Sequence, residues 1–232
     1  MKNEFWKNRN IVITGGTSGL GKNLALELVA RGANVAVIAR NKQGIAAIKD
    51  LVPNIVTLQG DVASKESVYP LAGEIHSRLG SVDFLFNNAS YLGVTPLRLL
   101  VDTECEDFEA VLQTNLLGPF RLIKALIPNM ILKNFGRIVN VSSDAAVSAY
   151  SGWGAYGASK ASLDHMTRIF NEELRGTDVR FFAIDPGDMN TPMHLAAIPD
   201  ADVSNLRDPR ESAQRLLAFL ERNDGAQERL RV

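Results

Sequence analysis

Thr14-Gly15-Gly16-Thr17-Ser18-Gly19-Leu20-Gly21 follows a short β-branched run, Ile11 to Thr14, and opens a segment of helical period, Leu20 to Arg31. Glycines between a strand and a helix permit a tight turn, close approach of the backbone to a phosphate and close packing of helix on strand. The amide groups and dipole at the helix N-terminus then hold an anion. A glycine-rich turn alone is a weak signal, because it also serves as a plain structural turn. Its place at the head of a βαβ unit makes dinucleotide binding the stronger reading. The spacing here is Gly-x-x-x-Gly-x-Gly, not the Gly-x-Gly-x-x-Gly of the general fingerprint.

The rest of the chain repeats this alternation. Strands are predicted at Val35 to Ala39, Ile55 to Gln59, Val82 to Asn87, Arg137 to Ser142 and Val179 to Asp185, with a weak last one at Glu228 to Val232. Most are continuous apolar runs, as strands covered on both faces should be. Helices fit between them at Lys42 to Leu51, Ser64 to Leu79, Phe108 to Lys133 (broken or kinked), Tyr156 to Leu174 and Pro209 to Arg222. Gly32, Gly80 and Gly176 stand where left-handed residues end helices. The pattern predicts an α/β fold, a Rossmann-like three-layer αβα arrangement around a doubly wound parallel sheet of about seven strands, in one domain over residues 1–232. The connection rich in Asp, Pro and Met over residues 186–208 is long enough to predict a lid or substrate loop.

Composition bounds the partners. Of 232 residues, 46% are hydrophobic and 22% charged, which excludes disorder and fibrous repeats. Basic and acidic residues number 25 and 26, a net charge of −1, so no global basic field exists to hold nucleic acid or a membrane surface. Cys105 is the one cysteine; it lies among acidic neighbours and reads as structural, not as a catalytic thiol. The chain passes from Met1 straight to a strand pattern without the apolar run of a signal peptide, which predicts a cytoplasmic location. His76, His165 and His194 are scattered without metal-ligand spacing, so no metal is expected.

Further motifs follow in order. Asp61-Val62 comes after the third strand, Asn87-Asn88-Ala89 ends the fourth, Ser143 follows the fifth, and Tyr156-Gly157-Ala158-Ser159-Lys160 opens a helix. Pro186-Gly187, with Thr191 beyond, ends the sixth strand. With the glycine turn, these resemble the short-chain dehydrogenase/reductase family over roughly residues 9 to 222, although Ser90 replaces the glycine of the family's Asn-Asn-Ala-Gly. The resemblance implies an NAD(P)-dependent oxidoreductase that moves hydride between a carbonyl and an alcohol, commonly as a homodimer or homotetramer. It implies cofactor contacts from Gly15, Thr17, Ser18, Gly19, Leu20, Gly21, Asp61, Val62, Asn88, Ala89, Tyr156, Lys160, Pro186, Gly187 and Thr191. Tyr156 would pass the proton, Lys160 would also grip the nicotinamide ribose, Ser143 would face the substrate oxygen, and Asn115 would hold a water that relays protons to Lys160. Ser143, Ala145, Tyr150, Trp153, Tyr156, Met189 and Met193 would border a small, moderately hydrophobic carbonyl or alcohol substrate.

The residue chemistry adds detail. Tyr156 and Lys160 are four positions apart, hence on one helix face about 6 Å apart along the axis. An ammonium there is expected to draw the phenol below its reference value near 10. Ser143 is preferred to Ser142 for the oxyanion role because its spacing to Tyr156 agrees with the family's. The second strand ends Arg40-Asn41-Lys42, where a fold selective for NAD(H) carries an acid; a guanidinium there suits a 2′-phosphate, so NADP(H) is favoured over NAD(H), with Arg40 as its contact. Tyr150 and Trp153 either stack on a substrate or seal an interface or core edge. The alternative to an enzyme is a silent NADP(H)-binding sensor or scaffold, against which the intact Asn115, Ser143, Tyr156 and Lys160 set argues.

Overall fold

The computed structural model describes residues 4–222 and 229–232. Seven parallel strands form one sheet in the order β3-β2-β1-β4-β5-β6-β7. They are β1 Asn10–Thr14, β2 Asn34–Ala39, β3 Val56–Gln59, β4 Phe84–Asn87, β5 Gly136–Val141, β6 Val179–Asp185 and β7 Arg229–Arg231. The helices are α1 Gly19–Ala30, α2 Lys42–Leu51, α3 Lys65–Leu79, α4 Cys105–Leu112, α5 Gly118–Leu132, α6 Gly154–Glu173, α7 Pro192–Ala197 and α8 Pro209–Arg222.

The continuous apolar runs are buried on both faces because their alternate residues feed two cores. Ile11, Ile13, Val35, Val37, Phe84 and Phe86 face a layer that includes Leu24, Leu28 of α1 and Leu216, Leu220 of α8. Val12, Ala36, Ile38 and Leu85 face the other layer, with Leu71, Ile75 of α3 and Leu122, Leu126 of α5. From β1 the chain winds outward to β3, then returns to place β4 on the other side of β1. At such a switch point the connections leave the strand ends in opposite directions, and a crevice opens between them.

Several expected boundaries shift. β3 begins at Val56 and β4 at Phe84, one and two residues late, since Ile55 and Val82 are buried in the approaches to their strands. β5 stops at Val141, and the predicted end of β7, Glu228, lies outside the described residues. Gly32 and Gly80 have φ of +83° and +76°, whereas Gly176 lies outside the left-handed region. Cys105 is exposed on the first turn of α4 and packs no core. The expected break in the Phe108 helix is a π-helical turn, Gln113–Leu117, between α4 and α5. Pro119 brings no N–H for the Asn115 carbonyl four residues earlier, so the regular ladder cannot continue there.

The N-terminus does not run straight into β1. A single helical turn, Glu4–Trp6, buries the Trp6 indole against Phe84, with ring centroids 4.7 Å apart. Trp6 Nε1 donates to Glu221 Oε1 at 2.6 Å, and Arg31 Nη1 donates to the same oxygen at 2.6 Å, so this carboxylate of α8 ties the N-terminal turn to the C-terminal end of α1. Trp6→Ala should cost about 3–5 kcal/mol of stability, the range for deleting a buried large aromatic. Urea unfolding checks this; a loss below about 1 kcal/mol would mean that the turn is not part of the cooperative core.

Candidate active site

A cleft of about 720 Å³ opens at the carboxyl ends of the strands, where β1 and β4 part. One end is built by the glycine turn. Gly15 and Gly19 have φ of +66° and +49°, conformations that side chains with a Cβ resist. Thr14 holds the turn: its Oγ1 accepts from the amides of Asn88 at 3.0 Å and Ala89 at 2.9 Å. Asn88 Nδ2 in return donates to the Thr14 carbonyl at 2.9 Å. A Cβ on Gly21 would stand 2.4 Å from Asn88 Nδ2, so this glycine serves the packing of α1 against β4 and does not line the cleft. Thr17, Ser18 and Leu20 line it. Ser18 caps α1 with extended backbone and makes no side-chain cap bond, and the first turn of α1 carries no acid. These open amides, with no Cβ at Gly15 or Gly19 to crowd them, fit a pyrophosphate.

The end of the cleft beside β2 and β3 is polar. Arg40 Nη1 lies 3.5 Å from Asp61 Oδ2, and the arginine side chain is 65% exposed, so it is free to turn to another anion. Asn41 is occupied in capping α2 through the Gln43 amide at 2.8 Å. Val62 and Ala89 complete this wall.

At the other end, α6 presents Tyr156 and Lys160 on one face. Lys160 Nζ donates to the Val141 carbonyl at 2.7 Å and stands 5.5 Å from the centre of the Tyr156 ring. Burial pushes the Tyr156 phenol up to about 12; the Ser90 and Ser143 hydroxyls beside it ease ionisation, while the Asp185 and Asp144 carboxylates oppose it. Burial also pushes the Lys160 ammonium down to about 8, against the pull of Asp164 one turn along α6. The expected lowering of the phenol is therefore reversed, because desolvation is the largest effect on it.

Ser143 Oγ accepts from the Ala145 amide at 3.2 Å and donates to Asp144 Oδ1 at 3.1 Å. Ser142 directly follows β5 and meets backbone, its amide donating to the Ile184 carbonyl at 2.8 Å. Asn115 is fully buried in the π turn and away from the cleft surface. Its Oδ1 accepts from the Tyr91 amide at 2.8 Å and Ser90 Oγ at 3.1 Å, and its Nδ2 donates to the Tyr91 carbonyl and Ser159 Oγ, both at 2.9 Å. Four bonds exhaust an amide side chain, so this one positions the β4 loop against α6, and a water at Asn115 would have to rest on its backbone carbonyl.

Trp153 meets Tyr156 edge-on at 5.6 Å and walls it from solvent, while Tyr150 is half-exposed and donates to Asp144 Oδ2 at 2.9 Å. The Pro186 to Asp208 segment carries a short helix that sequence reading left out, α7, capped by Thr191 Oγ1 accepting the His194 amide at 3.2 Å. Thr191-Pro192 is a readable helix start. Pro186, Gly187, Met189, Thr191 and Met193 from this segment reach the cleft, as does Ala145 opposite.

Two groups were missed. Ser90, the departure from glycine, joins Tyr156 to Asn115. Arg229 of β7 donates to the Ser143 carbonyl at 3.1 Å and to Asp164 Oδ2 at 2.7 Å, bracing the Ser143 loop against α6. Only the Ser90 substitution was visible as a signal. No cluster of metal-binding side chains exists among the described residues, and no helix there is long and apolar enough to cross a membrane.

Comparison with known proteins decides the family, since residues 9–201 match the family model described as short chain dehydrogenase. The chain belongs to the short-chain dehydrogenases. It is an oxidoreductase of the kind that interconverts CH–OH and C=O groups with a nicotinamide cofactor. This dehydrogenase is 33% identical over 221 residues to carbonyl reductase family member 4 of Danio rerio, covering 92% of each chain. It is 32% identical to the NADP-dependent 3-hydroxy acid dehydrogenase YdfG of Salmonella typhi, over 76% of this chain and 71% of that protein. A crystal structure of a Shigella flexneri short chain dehydrogenase complexed with NADP superposes with a TM-score of 0.88 at 25% identity, covering 99% of this chain and 98% of that one.

Proposed function

We propose that this dehydrogenase is an NADP(H)-dependent carbonyl reductase for a small, moderately hydrophobic ketone or aldehyde, with Tyr156 as the general acid. The observation that carries the reading is the Tyr156 phenol, buried at the floor of the cleft and pushed up to about 12, flanked by the hydroxyls of Ser143 and Ser90. A phenol so placed is protonated at neutral pH and suited to give a proton to a carbonyl oxygen as hydride arrives.

The cofactor supplies hydride, and the protein supplies orientation and a proton. Gly15, Ser18 and Gly19 would hold the pyrophosphate, Asp61 and Val62 the adenine, and Lys160 the nicotinamide ribose. Lys160 also keeps a positive charge 5.5 Å from the phenol ring, which eases the phenolate left after proton donation. Ser143 sits where a substrate oxygen meets Tyr156 and steadies the developing negative charge once its proton turns from Asp144. Leu92, Trp153 and Met189 give the apolar walls.

Arg40 supports NADP(H). Its exposed guanidinium, held loosely by Asp61, is the one cation at the adenosine end of the cleft among the described residues, and it suits a 2′-phosphate. Two similar proteins, one named as NADP-dependent and one solved in complex with NADP, support this reading.

Tyr156→Phe should lower kcat for ketone reduction at least about 100-fold, the usual scale for losing a general acid, while the Kd for NADPH stays within about threefold. Steady-state turnover with fluorescence titration checks this; retained turnover refutes the acid. Arg40→Asp should reverse the ratio of kcat/KM with NADPH to that with NADH, and an unchanged ratio refutes the phosphate contact.

A further inference from the structure

Asp144 is the residue at the reacting centre that neither the family motifs nor the proton transfer explains. Its carboxylate follows Ser143 directly, lines the cleft, and is held by two hydroxyls, Ser143 Oγ at Oδ1 (3.1 Å) and Tyr150 OH at Oδ2 (2.9 Å). No cation lies within salt-bridge distance of it among the described residues. Its negative charge reaches the Tyr156 hydroxyl, where it makes the phenolate harder to form.

The surroundings do not compensate. Of the charged residues lining the cleft, Arg40 is at the adenosine end paired with Asp61, and Lys160 is buried on the Val141 carbonyl. His194 lies 3.9 Å from Asp188, a further carboxylate of the same wall. Asp185 and Asp188 face Arg231, and Arg229 is taken up by Asp164 and the Ser143 carbonyl; neither arginine lines the cleft. A substrate oxygen placed at Tyr156 and Ser143 therefore brings its neighbouring substituents towards Asp144 with no guanidinium to meet them. Hydroxyl-held and half-buried, Asp144 is screened less than a surface charge.

We infer that Asp144 selects substrates by charge: the cleft takes neutral or cationic carbonyl compounds and rejects those that carry a carboxylate near the reacting carbon. This deepens, and rests on, the carbonyl-reductase reading above. It separates this chain from the relative whose name specifies 3-hydroxy acids, since a carboxylate beside the carbonyl would meet a like charge here. Specificity of this kind arises from a repulsive element and needs no tighter contact to the preferred substrate. Tyr150 and Ser143 fix the carboxylate in place, because each spends a hydroxyl proton on it.

The test compares a β-keto acid with its own methyl ester, which share the carbonyl and differ in one charge, as NADPH oxidation by the full-length protein. Wild type should favour the ester by at least tenfold in kcat/KM. Asp144→Asn, close in shape but neutral, should shrink that preference at least fivefold, chiefly by raising turnover of the acid. Tyr150→Phe removes a hydrogen bond and no charge, and should leave the preference within twofold, so the effect is tied to charge and not to loop shape. Equal kcat/KM for acid and ester in wild type, or an unchanged preference in Asp144→Asn, would overturn the inference. Absence of turnover on both compounds and on a panel of other neutral ketones, with NADPH still bound, would instead overturn the reductase reading on which it rests.

Discussion

An ammonium group with 1% exposure is tolerable only when something replaces its water, and for Lys160 that partner is the Val141 carbonyl at 2.7 Å. The bond joins the middle layer to one outer layer, since Val141 ends β5 and Lys160 sits on α6. Desolvation pushes the amine down to about 8 and, one turn away, lifts the Tyr156 phenol to about 12. The two groups thus sit on the protonated side at neutral pH, by opposite shifts from the same cause. Low dielectric around them also strengthens every hydrogen bond that a bound carbonyl makes there.

The remaining structure serves to hold that pair against a nucleotide site. β5 must place Val141 under α6, so its alternation between two cores fixes the height of that helix. Asn115 spends all four side-chain bonds clamping Ser90, the Tyr91 backbone and Ser159 of α6, which sets the distance from the β4 loop to the Tyr–Lys face. Thr14 ties the end of β4 to the glycine turn in the same manner, so the glycine turn and the Tyr–Lys face share one rigid support. Arg229 closes the far side by bridging the Ser143 carbonyl and Asp164.

Much of this was legible in the sequence. Apolar runs between helical segments predicted a doubly wound sheet, and the glycine turn with Tyr156 and Lys160 located both ends of the cleft. The unreadable parts have physical reasons. Trp6 lies in no periodic segment, and only its packing on Phe84 reveals it as core. The direction of the Tyr156 shift depends on burial, which residue spacing does not encode; spacing showed the cation and hid the desolvation. Asn115 reads as a site residue in a motif, yet its four bonds lie between elements distant in sequence. Asp144 carries meaning because no cation pairs with it among the described residues, and an absence in space leaves no mark in a linear pattern.

The account rests on a protonated phenol beside a buried ammonium, and the pH dependence of kcat/KM for ketone reduction tests it most directly, because that ratio reports the free enzyme's groups. Below its pKa Lys160 is cationic and supports proton donation by Tyr156; above it the charge is lost, while the phenol at about 12 has yet to titrate. The predicted profile is level through neutral pH and falls as pH passes about 8. A profile still level at about pH 10, near the ordinary lysine value, would contradict the buried ammonium, and one that rises through this range would contradict the acid.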